Sequence, residues 1–118
     1  MEINPENAPL IHISGRDFKP EDDAKQKDFF EKWYYDAYIP IVSRSIPGLE
    51  SVDRYQIVKE NPKYPQYIMT WKFDNLKSFD DFNSHVETAA IRRVTDANFP
   101  GMDYTWFVQY QLTRSWRR

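Results

Sequence analysis

Residues 33–55, WYYDAYIPIVSRSIPGLESVDRY, contain an aromatic helix, a turn and the beginning of a strand. The aromatic and aliphatic residues, Tyr34 and Tyr38 among them, recur at spacings of three and four, which predicts a helix with one broad apolar face. Pro40 has no N–H to donate to the preceding turn, so we expect the helix to kink or loosen one turn before it. Pro47-Gly48 then ends the helix, and the alternation that follows predicts a strand.

Similar patterns extend in both directions from this stretch. The predicted elements are a strand at 10–16, a helix beginning after Pro20, strands at 51–60 and 67–73 joined by a turn at 61–65, a helix from Asp74 or Asn75 to about Asn98, and a strand at 102–116. The order β-α-β-β-α-β in a chain of this length is typical of the ferredoxin-like α+β fold. We therefore predict an antiparallel sheet with two helices on one face.

The length and composition exclude several classes of protein. The 118 residues predict a single domain, 1–118, with 1–9 as a loose leader and 114–118 as a basic tail. A formal net charge of -2 gives no field that would attract nucleic acid or an anionic membrane. The chain has no cysteine, and no apolar run approaches the ~20 residues of a membrane helix. We expect a cytoplasmic protein with no nucleic-acid, membrane, metal or cofactor partner.

The alternation along the strands predicts which side chains lie under the helices. This set contains Ile11, Ile13, Tyr55, Ile57, Met69, Trp71, Phe73, Trp106, Val108 and Tyr110. The opposite face would carry His12, Ser14, Arg16, Arg54, Gln56, Thr70, Lys72, Thr105, Gln109 and Gln111, together with Val52, Ile68 and Phe107. A sheet face without helices meets either water or a second sheet. In the second case two copies would close a barrel around a cavity of mixed polarity.

Short motifs between Phe29 and Phe82 carry a family resemblance. They are Tyr34, Tyr38 and Pro40 on the first helix, then Pro47-Gly48, and Phe73-Asp74 with Asn75 before the second helix. In this arrangement the chain resembles the dimeric α/β-barrel proteins, in particular the EthD-like branch. The resemblance implies a homodimer that binds a small organic molecule, cyclic or aromatic, and acts on it without a cofactor. Where the family pattern has a histidine two residues before the proline, this chain has Tyr38, and a tyrosine with a pKa near ~10 is a poor general base at neutral pH.

The candidate catalytic residues are His12 and Tyr38. His12 is the predicted acid or base, because histidine titrates near neutrality, and Tyr38 would orient the substrate or donate a proton. Arg54 would hold a carboxylate or phenolate through its planar donor fork. The predicted substrate-binding set is Ser14, Arg16, Tyr34, Arg54, Gln56, Thr70, Phe107 and Gln109. The alternative interpretations are a structural or partly exposed histidine at position 12, and a cross-strand ion pair or a surface arginine at position 54.

Two other functions are compatible with the sequence. The first is a non-catalytic, stress-related or ligand-binding dimeric module, which the missing helix-one histidine favours. The second is a protein related to haem-degrading monooxygenases, in which His85 would be the axial ligand and Trp71 a neighbour. The first strand lacks the asparagine that would complete that set of residues.

Overall fold

The structure is a computed structural model. It describes residues 7–18, 28, 31–98 and 102–118, without the side chains at 16–18, 95, 96, 98 and 102–106. The predicted helix start after Pro20, the aromatic pair Phe29 and Phe30, and the turn at Pro100-Gly101 lie outside the described residues. The same holds for the side chains of Arg16, Thr105 and Trp106.

Four strands form one antiparallel sheet, and helices cover one of its faces. The elements are β1 (Leu10–Phe18), a π-helical segment (Tyr34–Tyr38), α1 (Ile39–Ser45), β2 (Leu49–Gln56), β3 (Tyr67–Phe73), α2 (Leu76–Ser84), α3 (Val86–Asn98) and β4 (Met102–Gln111). The strand order is β2-β3-β1-β4, with every neighbouring pair antiparallel. This topology confirms the predicted ferredoxin-like fold.

The helix loosens immediately before Pro40, as the sequence predicted. Residues 31–33 are α-helical, Tyr34–Tyr38 are π-helical, and the α-helix resumes at Ile39. The N–H of Ile39 donates to the carbonyl oxygen of Tyr34, five residues earlier. Because Pro40 has no N–H, the regular ladder cannot run through this point, and the wider turn accommodates it.

The predicted second helix is divided into two helices at His85. This residue has extended backbone angles, with φ -71° and ψ 133°, so α2 ends before it. The backbone N–H of Glu87 donates to Nδ1 of His85 at 3.2 Å. The backbone N–H of Ala89 donates to the carbonyl oxygen of His85 at 3.1 Å. His85 thus satisfies the first N–H groups of α3, as an N-cap residue does.

The prediction of which strand residues lie under the helices is correct for β3 and wrong for β1, β2 and β4. Met69, Trp71 and Phe73 are buried under the helices, as predicted. Opposite residues of neighbouring antiparallel strands project to the same face. His12 lies opposite Trp71, and Ile13 lies opposite Thr70, so His12 faces the helices and Ile13 faces away.

The same register reverses the predicted faces of β2 and β4. Arg54 lies opposite Met69, and Gln109 lies opposite His12, so both belong to the helix-covered face. The residues that the sequence wrongly placed under the helices are Ile11, Ile13, Tyr55, Val108 and Tyr110; those wrongly placed on the open face are His12, Ser14, Val52, Arg54, Gln56, Phe107, Gln109 and Gln111. The period of two was correct, but apolarity did not identify the covered side.

The open face is therefore more apolar than predicted. Its residues lie in rows across the strands, Asp53-Thr70-Ile13-Val108 and Ser51-Lys72-Ile11-Tyr110, with Tyr55 beside Ile68 at one end. Tyr55 and Tyr110 are more than half exposed, and the aliphatic side chains between them are partly exposed. Adjacent apolar side chains on an uncovered sheet face are typical of an interaction surface.

Asn75 caps α2, and its replacement tests this local structure. Its Oδ1 accepts a hydrogen bond from the backbone N–H of Ser78 at 3.0 Å. We expect Asn75→Ala to lower the free energy of unfolding by about 1 kcal/mol, whereas Asn75→Asp, which keeps the acceptor, stays near the wild-type value. Urea unfolding followed by circular dichroism measures both, and equal losses in the two variants would contradict the capping role.

Candidate functional site

His12 is a buried polar residue among aromatic rings. It is 6% exposed and projects from β1 towards α2. Its ring centroid lies 5.3 Å from that of Phe79 and 6.1 Å from that of Phe82, both on α2. On the β4 side it stacks on Phe107, with centroids 5.7 Å apart and planes inclined by 7°. The aromatic neighbours hold the imidazole in one orientation between the sheet and the helices.

A hydrogen bond from β4 sets the tautomer of His12. The side-chain nitrogen of Gln109 lies 3.0 Å from Nδ1 of His12. An amide nitrogen only donates, so Nδ1 accepts and the proton of the neutral ring is on Nε2. The imidazole therefore offers one N–H at its other end.

The surroundings of His12 favour its neutral form. Burial lowers its pKa from 6.5 to about 4, and the positive charge of Arg92 acts in the same direction. His12 is consequently uncharged at neutral pH. A neutral imidazole with so low a pKa donates a hydrogen bond well, but it accepts a proton only weakly.

The π-helical segment supplies two stacked tyrosines that contact Trp71, the residue opposite His12 on β3. The rings of Tyr34 and Tyr38 are parallel, with centroids 4.8 Å apart, and each meets the ring of Trp71 edge-on. Nε of Arg92 donates to the hydroxyl of Tyr38 at 3.2 Å, and its guanidinium lies 4.9 Å from the centre of the Phe82 ring. Arg92 thus connects the tyrosines to the wall that contacts His12.

Two buried hydroxyl groups lie in the same layer. Ser14 follows His12 on the helix-facing side of β1 and is 3% exposed, and Thr88 lies one turn before Arg92 on α3 and is 1% exposed. Neither hydroxyl has a hydrogen-bond partner among the residues that the structure describes. A buried hydroxyl without a partner costs free energy, so each needs an explanation.

The site is open to solvent at β4, an edge strand of the sheet. Phe107 and Gln109 project to the helix-facing side, because they lie opposite Ser14 and His12, yet Phe107 is 56% exposed and Gln109 is also exposed. The helices that the structure describes therefore leave Phe107 and Gln109 partly open to solvent. Polar groups deep between the sheet and the helices, with aromatic side chains at an open edge, are typical of a small-molecule site.

The structure brings together part of the predicted site. Six of its residues lie in the layer between the sheet and the helices: His12, Ser14, Tyr34, Tyr38, Phe107 and Gln109. Arg54 and Gln56 lie on β2 at the other edge of the sheet, and Thr70 lies on the open face. Arg54 forms an ion pair with Glu31 and stacks over Tyr67, within a surface groove of about 510 Å³. Arg54 is thus ion-paired, as in the alternative interpretation, but its partner Glu31 lies on the helix and not on a neighbouring strand.

Arg92 and Thr88 were missed in the sequence because the helical phase changes at His85. Helical spacing continued from Phe79 and Phe82 predicts that Val86 and Val94 are buried, but they are 78% and 44% exposed. Among the described side chains of α3, Thr88 and Ile91 are buried, and Ala89, Ala90 and Arg92 are partly buried. Thr88 and Arg92 are four residues apart and therefore lie on one side of the helix, near Ile91. This spacing was the signal in the sequence that could have identified them.

Three other features were considered for the described residues: a metal site, a haem ligand and a membrane-spanning helix. No group of three or more histidine, cysteine, aspartate or glutamate side chains is placed to hold a metal ion in the described part of the chain. His85, the candidate haem ligand, uses Nδ1 to cap α3. Among the helices described, none has the length and apolarity to cross a membrane.

Comparisons with known proteins identify the fold. No protein-family model and no curated protein matches the chain. The solved structure of the hydroxynitrile lyase from Passiflora edulis is similar over 94% of this chain and 99% of its own, with a TM-score of 0.67 and 12% identity. A dimeric ferredoxin-like protein of unknown function from Thermobifida fusca is similar over 95% and 96%, with a TM-score of 0.59 and 12% identity.

A third structure matches the resemblance seen in the sequence. An EthD family protein from Bacillus halodurans is similar over 86% of this chain and 96% of its own, with a TM-score of 0.51 and 19% identity. The chain therefore has the ferredoxin-like fold that occurs in dimeric proteins and in an EthD family member.

The lowered pKa of His12 predicts a loss of stability in acid. The unfolded chain binds a proton at this residue below pH 6.5, whereas the folded protein keeps it neutral down to about pH 4. Stability from this residue is thus present above pH 6.5 and is lost as the pH falls to about 4, by up to about 3 kcal/mol. In His12→Gln this contribution should disappear. Urea unfolding of both proteins from pH 7.5 to 4 measures the difference in slope, and parallel curves would contradict the assignment.

Proposed function

We propose that this protein binds a small organic molecule, cyclic or aromatic, between the sheet and the helices and acts on it as an enzyme without a cofactor. The observation that carries the proposal is the buried polar set of His12, Ser14 and Thr88 in a layer that is otherwise apolar. Burying hydroxyl groups without partners is unfavourable, and a bound molecule would satisfy them.

The walls of the site favour a flat molecule. Phe107 covers one face of the His12 ring and is itself 56% exposed at the edge of the sheet. The stacked pair Tyr34 and Tyr38 lines the inner part together with Trp71. Aromatic rings pack favourably against other planar groups in offset or edge-on arrangements, so a cyclic or aromatic molecule suits this lining.

Tyr38 and His12 are the proposed catalytic residues. The hydroxyl of Tyr38 accepts a hydrogen bond from the guanidinium of Arg92, which stabilises negative charge on the phenol oxygen if that group gives its proton to a substrate. His12 contributes its N–H to a substrate oxygen. The hydroxynitrile lyase from Passiflora edulis is an enzyme with a similar structure, which supports catalysis here as an analogy of fold.

A ligand-binding protein without catalysis, including a stress-related module, is the second candidate. Its support is the low pKa of His12, about 4, because a residue that stays neutral over the physiological range is a weak general base. Steady-state turnover of a ligand identified by binding distinguishes the two candidates. The absence of cysteine is compatible with either in a reducing compartment, and we propose the cytoplasm.

We further propose that two copies associate through their open sheet faces. The apolar rows on this face contain Ile11, Ile13, Val108 and Tyr110, and no helix of the described part of the chain covers them. Packing two such faces would remove these side chains from water. The similar structure from Thermobifida fusca is a dimer, in agreement with this proposal.

The ligand site is tested by filling it. A thermal-shift screen of aromatic acids, quinones, phenols and haem identifies a stabilising compound, since a ligand that binds the folded state raises the unfolding temperature. We expect Ser14→Val to weaken its binding at least tenfold, as the larger side chain occupies the space and removes the hydroxyl. Ser43→Val, the same change on the exposed side of α1, should retain affinity. Equal binding by the two variants in calorimetry would refute this location.

The dimer is tested by placing charge on the open face. Ile13→Glu puts a carboxylate in the centre of the apolar rows, where a second sheet would desolvate it, so we expect monomers at micromolar concentration. Val58→Glu adds the same charge at a position that is 96% exposed and outside the sheet, and should remain dimeric. Light scattering measures both masses, and a monomeric wild type or a dimeric Ile13→Glu protein would refute the proposed interface.

A further inference from the structure

The described groups at the site are mainly hydrogen-bond donors. His12 presents its Nε2–H, because Nδ1 already accepts from Gln109. The buried hydroxyl of Ser14 has no acceptor among the described residues, and Arg92 has donors only. None of the described residues shown in contact with His12 is an aspartate or glutamate.

An oxygen atom of a ligand can accept hydrogen bonds from the N–H of His12 and from the hydroxyl of Ser14. A buried hydroxyl without a partner is unfavourable, and an acceptor on a ligand removes this cost. Carbonyl and carboxylate oxygens accept two hydrogen bonds each from converging donors, whereas an amine or ammonium group would add another donor. The positive charge of the Arg92 guanidinium also favours the oxygen end of a polar ligand.

We infer that the ligand enters with a carbonyl or carboxylate oxygen that accepts the Nε2–H of His12, and that Gln109 is the positioning residue that keeps the proton on that nitrogen. This inference rests on the ligand site proposed above and specifies its chemistry. His12 then acts as a neutral electrophilic donor, which polarises the carbonyl, and the proton-transfer role falls to Tyr38. The assignment also explains why a solvent-accessible glutamine on an edge strand contacts a buried histidine.

Gln109→Glu reverses the hydrogen bond without removing it. A carboxylate accepts only, so Nδ1 would carry the proton at pH 8 and Nε2 would present a lone pair. Gln111→Glu is the matched control, because Gln111 lies two residues further along the same face of β4 and pairs with Leu10. Both variants add one negative charge to the same edge.

The experiment has two readouts at pH 8. Nitrogen-15 NMR of the imidazole should show the Nε2–H tautomer in the wild type and in Gln111→Glu, and the Nδ1–H tautomer in Gln109→Glu. Calorimetric titration should show that acetophenone binds about tenfold more tightly than α-methylstyrene, which has a methylene group in place of the carbonyl oxygen. Gln109→Glu should abolish this preference, and Gln111→Glu should retain it.

Different outcomes would refute the hydrogen-bond assignment at His12 and the ligand site itself. An Nδ1–H tautomer in the wild type, equal affinities for acetophenone and α-methylstyrene, or equal losses of preference in the two glutamate variants would overturn the inference and leave the ligand site intact. Failure of both compounds and of every compound of the thermal-shift screen to bind at millimolar concentration would overturn the ligand site itself.

Discussion

The antiparallel register between β1 and β3 is the constraint on which the other features depend. It places Leu10, His12 and Ser14 opposite Phe73, Trp71 and Met69, in the layer under the helices. Since side chains alternate strictly along a strand, a shift of one residue would exchange the two faces of β1 and, through it, those of β4. The same pairing therefore places His12 and Ser14 under the helices and Ile11 and Ile13 on the open face.

The fold was predictable from the sequence, but the face of the sheet that the helices cover was not. Period-two strands, proline and glycine turns and the β-α-β-β-α-β order indicated the architecture, and Pro40 indicated the loosened helix. The same patterns assigned Ile11 and Ile13 to the core by apolarity alone. That criterion fails where both faces of a sheet bury side chains, because each face is then partly apolar and only the pairing partner distinguishes them.

The candidate site was predictable to a similar extent. His12, Ser14 and Gln109 were grouped correctly because residues on one face of paired strands stay together whichever side that face occupies. Arg54 was grouped with them because alternation along a strand does not show how far apart the strands lie, and β2 is at the opposite edge. Arg92 could not be placed without the break at His85, which changes the phase of every residue after it.

Because of the wide turn at Tyr34–Tyr38, the side chains that line the inner part of the site depend on the number of residues in this turn as well as on their type. A π-helical turn holds one more residue than an α-helical turn, and each residue of an α-helix corresponds to a rotation of about 100°. Deleting one residue here would rotate the residues before it by about 100° around the helix axis and would turn Tyr34 away from Trp71. A homologous chain could thus exchange the side chains that line its ligand site by one insertion or deletion near Pro40, with no substitution at the site itself.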